Sequence, residues 1–68
     1  MQTLAGQVVT FDEHRGLGEI RAANGERIAF HCTAIADGTR TIAPDARVEF
    51  VLVPGPVGAF EAGAIRSI

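Results

Sequence analysis

The chain has 68 residues, with six arginines, no lysine and eight acids, for a formal charge of −2. At 47% hydrophobic and 21% charged it carries too much apolar surface to remain disordered, and its length allows one domain, 1–68, that buries only about 60% of what the unfolded chain exposes. The single cysteine, Cys32, closes no intrachain disulfide, no apolar run reaches the ~18 residues of a membrane span, and Met1-Gln2-Thr3-Leu4 lacks a leader's basic and apolar regions, so a cytoplasmic protein with no membrane partner is expected.

Turn signals divide the chain into five segments of strand length. The first is Gln7 to Phe11. Gly16 and Gly18 frame the start of the second, Leu17 to Ala22, and Asn24-Gly25 separates it from the third, Glu26 to His31. Asn-Gly is the strongest short-range signal for a two-residue type I′ turn, so residues 17–32 are expected to form a hairpin. Parity places Gly18, Ile20, Ile28 and Phe30 inward and Leu17, Glu19, Arg21, Ala29 and His31 outward. Thr33-Ala34-Ile35 can make one capped turn. The fourth segment, Arg47 to Val53, alternates so that Val48, Phe50 and Leu52 share a face and Glu49 points away. Pro54-Gly55-Pro56 and Gly58 lead to the fifth, Phe60 to Ile65. No segment keeps a 3.6-residue apolar period over the ten or more residues an independent helix needs. Five short strands in so small a chain predict an all-β, five-stranded antiparallel barrel, because closure removes the exposed edges of a flat sheet.

Several chemistries are excluded by what is missing. Cys32 and His31 are neighbours, which on a strand point to opposite faces, and no second Cys/His pair completes a metal site. Gly16-Leu17-Gly18 lacks the third glycine and the following helix of a dinucleotide fingerprint. With no lysine, no tyrosine and Ser67 as the one serine, no nucleophile with a base and an orienting group can be assembled. The expectation is a protein that is not an enzyme and uses no cofactor or metal. The acidic balance also opposes phosphate binding unless cations cluster locally.

The order of motifs resembles the bacterial cold-shock domain, a five-stranded OB-fold barrel. Gly6-Gln7-Val8-Val9-Thr10-Phe11-Asp12 is similar to that family's G-x-V-K-W-F-N opening. Arg15-Gly16-Leu17-Gly18-Glu19-Ile20 sits where it has K-G-F-G-F-I, and Ile28-Ala29-Phe30-His31-Cys32 where it has V-F-V-H-F. Thr33-Ala34-Ile35, Arg40-Thr41-Ile42, Val48-Glu49-Phe50 and Glu61-Ala62 follow its later motifs in order. The resemblance implies a partner, single-stranded RNA or DNA, bound on the outer face of the first three strands. It also implies contact residues at the matching positions Phe11, Arg15 and His31, with Leu17 standing in place of a family aromatic.

The departures fall on that outer face. Thr10 replaces the family's tryptophan, Leu17 and Glu19 its two aromatics in the first nucleic-acid motif, and Ala29 and Cys32 those in the second; Thr39 and Val9 replace a loop aromatic and a lysine. Stacking a base on a ring is worth ~1–3 kcal/mol, so three lost rings remove ~3–9 kcal/mol if the terms add. Binding is therefore expected to be weak and tolerant of sequence. The alternative reading is an outer face converted to a protein-interaction or self-association surface through Thr10, Leu17, Glu19 and Ala29.

Overall fold

Strand β1, Leu4–Asp12, runs through the middle of the only sheet among the described residues. A computed structural model describes residues 3–55 and 58–68. The remaining strands are β2 (Leu17–Ala22), β3 (Arg27–His31), β4 (Arg47–Pro54) and β5 (Phe60–Ser67), with one 3-10 turn, η1, over Cys32–Ala34. The sheet order is β3-β2-β1-β4-β5 and every strand pair is antiparallel. The expected all-β class and strand count are therefore observed, with no helix long and apolar enough to cross a membrane among the described residues.

β1 serves two neighbours. Its first half pairs with β4, from Leu4 opposite Phe50 to Gln7 opposite Arg47, while most of its length pairs with β2, from Gly6 opposite Ala22 to Asp12 opposite Leu17. Between Val8 and Thr10 the register shifts, a bulge of the kind that bends and twists a strand. Val8 meets the end of the β3–β4 loop there, donating to the Ala46 carbonyl at 2.9 Å and accepting from the Asp45 N–H at 2.8 Å. The sheet curls until β3 lies beside β5. The loop after η1 fastens the seam, with Ile35 bridging Ile65 and Ala36 N–H donating to the Ile65 carbonyl at 2.8 Å.

Inside sit Val8, Ile20, Ile28, Phe30, Ile35, Val48, Phe50 and Ile65, which form one cluster with Ala22, Ile42 and Ala62. The inward set expected for the hairpin is observed, and so is its joining to Val48 and Phe50. Leu52, expected on the face of Val48 and Phe50, is 37% exposed. β1 begins opposite Phe50, so β4 beyond that point continues as a ribbon with β5 alone, out to Pro54 opposite Phe60, past the core.

The hairpin turn also differs from the Asn-Gly expectation. Ala22 N–H donates to the Glu26 carbonyl and Gly25 N–H to the Ala22 carbonyl, closing a three-residue loop, Ala23-Asn24-Gly25. Gly25 alone takes positive φ, at 91°. Asn24 instead accepts the Glu26 N–H on its side-chain oxygen at 3.0 Å, so its preference for turns is used through its side chain. β1 begins at Leu4, three residues ahead of its expected start at Gln7. The early residues read as weak strand formers and are held by pairing with β4.

Candidate nucleic-acid interface

Antiparallel register decides which residues meet on the outer face. Across β1, β2 and β3, Thr10 faces Glu19 and Glu19 faces Ala29; in the next row Asp12 faces Leu17 and Leu17 faces His31. Thr10, Leu17, Glu19 and Ala29 are thus contiguous, and Leu17 and His31 lie side by side. Leu17 is 44% exposed.

Phe11 stands apart from that row. Opposite Gly18, and turned by the bulge at Val8–Thr10, it is half-buried and packs against the core. Its ring stacks on Phe30 with centroids 5.7 Å apart and planes within 4°. Gly18 makes this possible: a Cβ there would lie 2.6 Å from both the Phe30 Cζ and the Thr10 carbonyl oxygen. The free edge of Phe11 lines a wide concavity of about 1130 Å³ at the barrel end, shared with His14, Thr41, Ile42 and Pro44. Leu17, Ala29 and His31 line a separate hollow of about 280 Å³, whose far wall carries Glu61 from β5.

Arg15 lies exposed in the β1–β2 turn. Asp12 organises that turn, its Oδ1 accepting the N–H groups of His14 at 3.0 Å and Arg15 at 3.2 Å, and its carbonyl the Gly16 N–H at 2.8 Å. Gly16 has φ 69°, and a Cβ there would lie 2.9 Å from the Cys32 Sγ and 3.7 Å from the His31 Nε2. The histidine ring therefore sits over a turn that only glycine leaves open.

His31 has a second task that sequence reasoning missed. Its Nδ1 accepts the Thr33 N–H at 3.2 Å and lies 2.9 Å from the Thr33 Oγ1, capping η1. The cap uses the Nδ1 lone pair and so places the neutral ring's proton on Nε2. His31 is exposed and Cys32 is partly buried against the core, in keeping with the expected divergence of the two side chains. Cys32 begins η1 and does not continue β3, which brings its Sγ to 3.9 Å from the His31 Nδ1. Among the described residues no three metal-ligating side chains cluster.

Electrostatics on the face are mixed. The Glu19 carboxylate is met by the Arg27 guanidinium at 3.4 Å, both side chains about half exposed. Glu61, at the hollow beside His31, is a carboxylate that sequence reasoning did not place there. Its position comes from β5 closing against β3, a contact no local signal announces.

The family model for the 'Cold-shock' DNA-binding domain matches residues 4–66. No curated protein matches the chain.

Proposed function

The chain belongs to the 'Cold-shock' DNA-binding domain family, a nucleic-acid-binding and non-enzymatic family, and from that premise we propose that it binds single-stranded RNA or DNA weakly and with little sequence preference. Contacts come from Phe11, Arg15, Leu17 and His31. The observation that carries this reading is the retained His31 with Leu17 beside it on the outer face, framed by the Asp12-ordered turn that holds Arg15. His31 presents a flat ring and a donor, Arg15 a cation, and the exposed edge of Phe11 a partial platform at the barrel end. Glu19 and Glu61 stand where a single strand would lie, and like charge beside phosphates lowers affinity. Thr10 and Ala29 offer no ring to a base. Domain 1–68 is proposed to act in the cytoplasm as one module.

A fluorescent oligothymidine titration tests this. The expected dissociation constant is micromolar or poorer at physiological salt, with log affinity falling linearly in log salt. Nanomolar affinity would contradict the account of the face, and no binding at low salt would contradict the function. One observation favours a second reading: Thr10, Glu19 and Ala29 form a single cross-strand row with Leu17 adjoining it, a ring-free patch of small and apolar side chains around one carboxylate, suited to a protein partner or a second copy. Concentration-dependent self-association in place of oligonucleotide binding would select it.

A further inference from the structure

Three of the six arginines fall on one line across the sheet. Arg27 on β3 is directly opposite Arg21 on β2, Arg21 is opposite Gln7 on β1, and Gln7 is opposite Arg47 on β4. All four side chains are exposed and share the outer face. At ~4.8 Å between neighbouring strands the line spans about 14 Å. It lies at the end of the face away from Leu17 and His31, next to the Ala23-Asn24-Gly25 loop.

Like charges directly opposite on a sheet are unfavourable, and Arg21 and Arg27 hold that arrangement with limited relief. Arg27 reaches Glu19 at 3.4 Å, whereas the Arg21 and Arg47 guanidinium groups make no hydrogen bond or ion pair with a described residue. Three more acids lie near the line: Asp45, which shares a small hollow with Gln7 and Arg21 without forming an ion pair, Glu26 next to Arg27, and Glu49, two residues from Arg47 on β4 and within 3.8 Å of Arg66. The Gln7 amide is fixed by donation to the Asp45 carbonyl at 3.0 Å. Between Arg21 and Arg47 runs a groove of about 400 Å³ lined by Gln7, by the small residues Ala5, Gly6, Ala22 and Ala23, and along one side by the exposed Ile68. At Gly6 the strands and core are closely packed beneath the groove, since a Cβ would lie 2.7 Å from both the Arg21 carbonyl oxygen and the Ile20 Cγ2. The result is a shallow channel with guanidinium groups on both sides.

We propose that the line Arg27, Arg21, Gln7 and Arg47 is a phosphate track, along which the backbone of a bound single strand crosses the sheet. Arginine forks pair with phosphate oxygens in two-pronged geometry, and the groove floor lets an extended backbone approach the strands. The track rests on the proposed nucleic-acid binding and adds where the phosphates lie. It locates local cation clustering on an acidic chain, in strands and positions separate from Phe11, Arg15, Leu17 and His31.

The test compares oligothymidine affinity between 50 and 200 mM salt for the parent, for Arg21→Gln/Arg47→Gln, and for the charge-matched control Arg40→Gln/Arg66→Gln. Each phosphate neutralised on a single strand contributes a log-log salt slope of about −0.7, so four arginine contacts, Arg15 and the three of the track, predict an ~49-fold loss over this range and the two remaining contacts, Arg15 and Arg27, an ~7-fold loss. The parent and the control should show the first, the track variant the second. Thermal melting should find the track variant as stable as the parent or more so, because a like-charge pair is relieved. If the parent binds but the track variant keeps the parent slope, or the control loses as much, the track is wrong and the proposed function stands. A parent that does not bind at 50 mM salt overturns both.

Discussion

A methyl group at Gly18 would collide with the Thr10 carbonyl oxygen, which is backbone and cannot swing away, and with the ring of Phe30. Gly18→Ala should therefore cost ~1–3 kcal/mol, as overpacking does in well-filled cores, and a urea melt with an unchanged midpoint would show that β1 and β2 are not so close. His31 carries two roles at once. His31→Ala removes the cap on the Thr33 N–H and should lower stability by ~1 kcal/mol, in the range of other lost caps, apart from any effect on binding. The Thr39 N–H, and after it the Thr39 hydroxyl, hold the Asp37 carboxyl below the ordinary 3.8. The folded state thus favours the charged carboxylate. Its contribution is fully present above the unfolded value of 3.8 and is lost as pH falls through that value and then through the lower folded one. Asp37→Asn should remove that part of the acid dependence, visible as a flatter stability curve on the acid side, and an unaltered curve would rule the contribution out.

The hairpin shows what sequence reveals about an element and what it withholds. β2 has the ends expected of it, Leu17 and Ala22, because the turn signals on both sides are local. The loop type was not legible, since Asn-Gly suits both a two-residue turn and a three-residue loop closed by glycine at positive φ. Choosing between them depends on twist and on the partner strand. Gly25 has φ 91° with nothing within 4 Å of a Cβ; Gly25→Ala should cost ~1–2 kcal/mol from backbone conformation alone, and a neutral result would place the strain elsewhere. β1 marks the limit of parity. The shift between Val8 and Thr10 turns Phe11 toward Phe30, and no residue at 8 to 10 announces a bulge that is fixed by Asp45 and Ala46 from a distant loop. The arginine line divides the same way. Arg21 and Arg27 flank the turn, but they face each other only with the three-residue loop, since the expected two-residue turn would set Arg21 opposite Ile28, and bringing Arg47 beside them needs the non-local β1–β4 register.

At the scale of the molecule the fold and the binding face have separate residues. The barrel keeps its fully buried set, Val8, Ile20, Phe30, Val48, Phe50 and Ile65, while the substitutions relative to the family pattern fall mostly on the outside. Phe30 holds the core together with Phe11 stacked above it. Phe30→Ala should cost ~3–5 kcal/mol, close to the whole stability of so small a domain, and cooperative melting near the parent temperature would contradict this core. The central claim is that missing stacking platforms set the weakness of binding and the barrel does not. Leu17→Phe, Glu19→Phe and Ala29→Phe together place three rings on adjoining positions of the outer face and remove one carboxylate, leaving Gly18, Ile20, Ile28 and Phe30 untouched. The decisive measurement is the oligothymidine affinity of this triple variant against the parent, with folding verified by cooperative melting. At ~1–3 kcal/mol per stacked base, discounted for imperfect geometry, the account predicts a gain of about tenfold or more; a correctly folded triple variant that binds no better than the parent would contradict it.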